Sequence, residues 1–281
     1  MFTRKNKIQL PNVTLVAVSS VQIDETIHAL QYSMEKIDFG QVLFITHEKP
    51  KNLPDTIVWK QCARLRNVDE YSRFMVFDLD KYIATEFALH IHFDGFIIRP
   101  YKWQNAFLDY DYVGAPWPEK LHYSRKGTEV RVGNGGCSIR SKKLLQARAA
   151  LPLFLPIGNG RYKDSKGNDL SEAEVPALYI RESIDTKRDG AFSEDGICTY
   201  FRDDLEAQGI KFAPVALASE FSREMDCFDS SPTPFGFHKN FNLRPKSFLL
   251  KHFLIKDLAK DIIRPVARPI LHKLRSALKN H

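Results

Sequence analysis

Asp94 is a lone carboxylate in an apolar run, Phe87 to Pro100 (FALHIHFDGFIIRP), with His92 two residues before it and Gly95 directly after it. The run reads as a buried strand broken at its carboxyl end, the edge at which open α/β sheets hold ligands. An unpaired buried carboxylate costs on the order of several kcal/mol. Asp94 there calls for a metal ion or a set of hydrogen-bond donors, or else it caps the turn at Gly95 with its own side chain.

Other stretches offer chemistry of their own. Gly133 to Ser141 (GNGGCSIRS) lets a backbone pass close to something and then enter a strand. It is neither a P-loop, since no Gly-Lys-Ser/Thr follows, nor a GxGxxG dinucleotide turn. It suits a sugar approaching the main chain at Asn134, Gly135 and Gly136. Glu194 and Asp195, behind Ser193, either open a helix favourably for its dipole or take a proton from a substrate hydroxyl. His238, after Phe235-Gly236-Phe237, is either a ligand or a structural histidine. Trp103 to Pro118 holds Tyr110, Tyr112 and Trp117, rings that pack a core edge or stack on a sugar or base. Asp109 and Asp111 within it share a face if the stretch is a strand, and then point either at one ion or at solvent.

The elements that must position these residues follow from periodicity. Val13 to Ser20 (VTLVAVSS) reads as a buried strand, Thr26 to Lys36 as a helix and Gln41 to Thr46 as a second strand: a βαβ unit with a parallel sheet. The strand end at Ser19 and Ser20 is either a nucleotide contact or an ordinary connection. Asp55 to Trp59 predicts a short third strand, and Val68 to Ile83 a helix leading into the Asp94 strand. Ser141 caps a helix over Lys142 to Ala150. Leu151 to Gly190 reads as a long irregular excursion, a lid, a binding loop or disorder. Ile197 to Gln208 predicts an amphipathic helix, and Phe212 to Glu224 a strand with a polar turn.

Composition narrows the function classes. A hydrophobic fraction of 43% in 281 residues supports a filled α/β core. No run approaches the ~20 apolar residues of a membrane span, and the basic N-terminus precedes no signal-like segment, so a cytosolic protein is expected. Cys62, Cys137, Cys198 and Cys227 are far apart and form no CxxC pair, which points to buried thiols. The net charge of +7 is unevenly placed: from Lys239 onward eleven Lys or Arg face only Asp257 and Asp261, a balance of +9 that leaves residues 1–238 at −2. A nearly neutral body disfavours nucleic acid as a partner. The tail, Ser247 to Ala259 and Ile262 to Leu278, interleaves apolar and basic residues. It suits an amphipathic helix on an anionic membrane, or one packed on the domain or on a second subunit.

In combination, FDGF (93–96), Trp103 with YDYVGAPW (110–117), VGNGGCSIRS (132–141), EDG (194–196), ASEFSRE (218–224) and GFH (236–238) resemble a bacterial family met in surface-polysaccharide gene sets, regarded as glycosyltransferases and long catalogued only as a domain of unknown function. The resemblance runs from Val13 to His238. That family is similar to the GT-A glycosyltransferases, which implies a single α/β domain with a mixed, mainly parallel sheet over 13–238, an N-terminal extension over 1–12 and a basic helical tail over 239–281. It further implies Ser19, Ser20, His92 and Asp94 at the nucleotide-sugar donor, Asp94 and His238 on a Mn²⁺ or Mg²⁺ ion, and Asp195 or Glu194 as catalytic base. Trp117, Tyr112 and the Asn134–Gly136 turn would meet a glycan or lipid-linked acceptor. His92 departs from the family's Asp-x-Asp pattern by replacing its first acid. A UDP-sugar donor and inversion at the anomeric carbon are expected, at the inner face of the cell membrane if the tail binds there. The rival readings are a nucleotidyltransferase, against which the absence of a basic Gly-rich loop after the first strand speaks, and a non-catalytic carbohydrate-binding or scaffolding protein.

Overall fold

In the computed structural model, β1 (Ile8–Val18) enters the core directly and α1 (Ile23–Ser33) returns over the sheet to β2 (Ile37–Thr46), as the βαβ reading expects. The structure describes residues 7–117, 125–126, 129–130, 132–150, 155–158, 161–163, 168–174, 202–224 and 233–239. β3 (Val58–Gln61) lies slightly beyond its expected position. The predicted helix 68–83 divides into α2 (Val68–Phe77) and a 3₁₀ turn over Leu79–Tyr82. At the end of that turn Lys142 Nζ donates to the carbonyls of Asp80 and Ile83 at 2.6 and 2.7 Å.

β4 (Phe87–Ile91) is the predicted strand before Asp94, and β5 (Tyr112–Pro116) follows two 3₁₀ turns. A small hairpin pairs β6 (Arg125–Lys126) with β7 (Glu129–Val130). β8 (Val132–Ser141) is buried throughout, so the glycine stretch is itself sheet rather than a turn before one. Ser141 caps α3 (Lys142–Ala150) as predicted, its Oγ accepting from the Leu144 N–H at 2.9 Å. Within the expected irregular excursion, β9 (Leu155–Gly158), β10 (Arg161–Lys163) and β11 (Asp169–Ser171) form an antiparallel sheet of their own.

α4 (Arg202–Ala207) is the described part of the expected helix 197–208. The 212–224 segment is a correction: α5 (Val215–Phe221) occupies most of it, and only β12 (Ser222–Glu224) is strand. Pro214 cannot donate to a ladder, and the Ala, Leu and Glu that follow favour a helix. β13 (Gly236–His238) pairs parallel with β12, with Glu224 directly opposite His238.

The main sheet has the order β3-β2-β1-β4-β8-β5. Its first four strands are parallel, and β8 runs antiparallel between β4 and β5. The chain is thus a mixed, mainly parallel α/β structure. One apolar cluster, including Val16, Leu43, Met75, Leu79 and Leu145, fills the space between the sheet and α2 and α3. A second is aromatic: Phe96, Phe107, Phe221, Phe235 and Phe237 are fully buried, with edge-on contacts of Phe96 on Phe237 at 4.9 Å and Phe107 on Phe221 at 5.1 Å, and tilted contacts of Phe235 on Phe107 and Phe221. This second cluster anchors β13. Cys137 is buried and Cys62 half-buried, both as free thiols. Cys198, Cys227 and the basic tail beyond Lys239 lie outside the described residues.

Candidate functional site

The sheet order places a switch between β1 and β4. From β1 the chain moves to β2 on one side, whereas β4 lies on the other. The crevice outside the carboxyl ends of such strands is where α/β sheets receive ligands. Ser19 and Ser20 lie at the end of β1, and His92 and Asp94 at the end of β4. Ser19 Oγ makes a local turn with Val21, and Ser20 Oγ accepts from the Leu65 N–H at 2.9 Å, tying the 62–67 loop to this edge.

β4 ends in a tight turn. His92 and Gly95 exchange backbone hydrogen bonds of 2.7 and 3.2 Å, which leaves Asp94 at its tip. The next residues zip against β13: the Ile98 and Arg99 N–H groups donate to the Phe235 carbonyl, Phe237 N–H to Phe96, and Lys239 N–H to Asp94. This zipper carries His238 to Asp94 across most of the chain. The His238 ring then lies against two glycines. A Cβ on Gly136 would stand 2.2 Å from the ring, and one on Gly95 2.7 Å from it. The close approach read from the glycine stretch is therefore real, but its occupant is the protein's own histidine.

Three ligand atoms converge. His92 Nδ1 is 3.3 Å from His238 Nε2, which is 3.6 Å from Asp94 Oδ1, and the third edge is 3.9 Å. The centre of that triangle is about 2.1 Å from each corner, the length of an imidazole or carboxylate bond to a divalent ion. The donor set therefore fits a metal ion. His238 is 3% exposed, Asp94 13% and His92 26% by side chain, so the open side is that of His92 and Asp94.

Behind His238, Glu224 Oε2 accepts from Nδ1 at 2.7 Å, and both groups are buried. Burial opposes charge on the His238 ring. The Glu224 carboxylate and its hydrogen bond, with Asp94, outweigh both burial and Lys239 and hold the imidazole above the ordinary histidine value. The two carboxylates thus favour a positive charge on the His238 ring.

Several expected contacts are placed elsewhere. Tyr112 and Trp117 are 1% and 6% exposed, and Tyr112 packs on Phe212, so both rings belong to the core rather than to an acceptor surface. Asn134, Gly135 and Gly136 are buried in β8, and Asn134 Oδ1 accepts from the Gly136 N–H at 3.1 Å. They form the floor beneath His238, not a turn open to a sugar. Asp109 ends a 3₁₀ turn, while Asp111 accepts from Ser141 Oγ and the Lys211 N–H, so the two do not form an acid pair on a strand. Glu194 and Asp195 lie outside the described residues.

Glu224, Tyr71 and His90 escape a reading of the sequence alone. His90 carries a signal, because His90 and His92 alternate on one strand and so share a face. Glu224 sits within the ASEFSRE motif, yet only the β12–β13 pairing sets it opposite His238.

Among solved structures, galactosyltransferase LgtC in complex with donor and acceptor sugar analogs is similar at TM-score 0.45 and 11% identity, over 80% of this chain and 86% of that one. An active-site mutant of LgtC gives 0.45 and 10% over the same shares. Apo glycosyltransferase GlyE of Streptococcus pneumoniae TIGR4 gives 0.37 and 10%, over 81% of this chain and 54% of that one. No curated protein matches the sequence. The profile of DUF5672, described as a protein of unknown function, matches residues 56–238, more than half of the chain, and the protein belongs to that family.

Proposed function

We propose that the protein is a GT-A-like glycosyltransferase that moves a sugar from a nucleotide-sugar donor, by our reading a UDP-sugar, to a hydroxyl of a surface glycan or lipid-linked acceptor. One observation supports this above the others: a cation-fitting cluster of His92, Asp94 and His238 stands at the switch of the sheet, after β4 and next to the strand that leads into Ser19 and Ser20. A Mn²⁺ or Mg²⁺ ion held by these residues would supply positive charge to the donor diphosphate as it leaves.

The chain's own groups do the rest. Asp94 and His92, the more exposed pair, face the donor, while His238 is fixed from behind by Glu224. Asp195, or Glu194 in its place, takes the proton from the acceptor hydroxyl for in-line attack, with inversion at the anomeric carbon. Against the nucleotidyltransferase alternative, β1 runs into Ser19-Ser20-Val21-Gln22 with no Gly-rich basic loop. Among the described residues no helix is long and apolar enough to cross a membrane. We place the protein in the cytoplasm, with its basic tail on the inner membrane face.

Calorimetric titration with UDP and with GDP, each with Mn²⁺ and with EDTA, tests the donor site. The expected result is metal-dependent UDP binding that is lost in Asp94→Ala. Absence of binding to either nucleotide under every condition overturns the reading. Asp195→Asn then separates an enzyme from a binding module: turnover should fall about 10²–10⁴-fold with donor affinity retained.

A further inference from the structure

With Tyr112 and Trp117 in the core, the aromatic rings left at the surface are those just before them in the chain. The buried aromatic cluster that anchors β13 carries half-exposed rings at two places. Tyr32 meets Phe96 edge-on at 5.7 Å, and Trp103 meets Phe107 and Phe235 edge-on at 5.5 Å each. The chain between Phe96 and Trp103 carries Arg99 and Tyr101.

Pro100 to Lys102 form a 3₁₀ turn, in which the Lys102 N–H donates to the Arg99 carbonyl and the Trp103 N–H to that of Pro100, both at 2.9 Å. Pro100 fixes φ at its first position. The turn holds Tyr101 outward: at 74% it is the most exposed large apolar side chain among the described residues. Beside these rings stand polar groups already held in place. Trp103 Nε1 donates to Asn105 Oδ1 at 3.0 Å, and the Gln104 amide donates to the Glu220 carboxylate. Arg99 has a donor to spare, because its Nη1 is buried without a hydrogen-bond partner among the described residues. Such a donor is costly until an acceptor meets the guanidinium. Burial and Glu35 push the Tyr32 phenol up while Arg99 pulls it down, so the guanidinium lies near that ring.

We propose that Tyr101, Trp103 and Arg99 form a binding surface for a carboxylate-bearing oligosaccharide, the rings stacking on sugar faces and the guanidinium pairing with a uronate carboxylate. Each part matches one feature of such a ligand. Tyr and Trp offer apolar faces to the C–H side of a sugar, and the Gln104–Glu220 pair meets hydroxyls. The guanidinium fork fits a carboxylate through two parallel hydrogen bonds. Arg99 follows Asp94 by five residues along the zipper with β13, a reach of at most about 18 Å. A short oligosaccharide spans that distance, so the surface suits the body of an acidic acceptor whose end lies at the ion cluster. The acceptor role rests on the transferase reading; the binding does not.

The test titrates the full ¹⁵N-labelled chain, without nucleotide or metal, with trigalacturonate and with neutral maltotriose, read at the indole N–H signals of Trp59, Trp103 and Trp117. The expected result is saturable movement of the Trp103 signal with the other two still, and an affinity for trigalacturonate at least about 10-fold above that for maltotriose. Tyr101→Ala should weaken binding about 3–10-fold at an unchanged melting temperature, since the ring is exposed. Arg99→Gln should bring the two sugars to equal affinity, and Arg99→Lys, which keeps the charge without the fork, should restore part of the preference. A Trp103 signal that does not move overturns the proposal, as does equal affinity of the wild-type chain for both sugars or unchanged affinity in Tyr101→Ala. Trigalacturonate binding without UDP binding under any condition would uphold this surface and remove the transferase reading. UDP binding without trigalacturonate binding would do the reverse.

Discussion

His238 shows how much of the site depends on single side chains and on the absence of others. Its ring occupies space that exists because residues 95 and 136 lack a Cβ, and its outer nitrogen is presented because Glu224 binds the inner one. Gly136→Ala tests the first condition. The added methyl would stand 2.2 Å from the ring, with the β8 backbone unable to retreat from either neighbouring strand. Overpacking of this kind costs about 1–3 kcal/mol. The expected outcome is a lower denaturation midpoint together with weakened divalent-ion binding; a variant with unchanged melting and unchanged ion affinity would show that the ring does not sit there. His92 and Asp94 are open to sequence reading, because they stand together at the end of one apolar run. Glu224 is not, because nothing local to residues 222–224 shows which strand lies alongside.

At the scale of elements, the site is held by short pieces braced on longer ones. β12 and β13 have three residues each and owe their position to the aromatic cluster and to the backbone zipper with residues 94–99. α3 braces the sheet from the other end. Ser141 Oγ accepts from Leu144 N–H and donates to Asp111 Oδ1 at 2.6 Å, so one hydroxyl joins the helix start to the approach of β5. Ser141→Ala removes both bonds. The expected loss is about 1–2 kcal/mol in chemical denaturation, with divalent-ion affinity preserved because α3 carries no ligand; loss of ion binding without loss of stability would contradict this division of labour. The helix 142–150 is legible from its cap, whereas the sequence of α5 reads as strand. Short segments with mixed propensity are decided by what they pack against, and Phe221 packs into the aromatic cluster.

The whole molecule divides its charge between a nearly neutral body and a tail of +9. A basic amphipathic tail gains on the order of 1 kcal/mol per cation at an anionic surface, and a neutral body adds nothing to it. Vesicle sedimentation tests the proposed membrane role. The full chain should pellet with phosphatidylglycerol vesicles and not with phosphatidylcholine, in a salt-sensitive manner, while a chain ending at Phe241 should stay in the supernatant and keep its ion affinity. Equal partitioning of both chains would assign the tail to protein contacts instead.

The sequence by itself determined what is local: the parallel βαβ start, the buried strand before Asp94, the cap at Ser141 and the need of a strand-end carboxylate for a partner. These are consequences of period, propensity and the cost of burying charge, which act over a few residues. Only the tertiary structure decided who the partners are. His92 and His238 are separated by 146 positions, Glu224 meets His238 through a parallel pairing, and Tyr71 reaches His92 from a helix. Such contacts are fixed by sheet order and by which backbone can approach which ring, and neither is written in any one stretch of the chain. The glycine stretch makes the point most plainly: its composition announced a close approach, and the fold supplied the histidine.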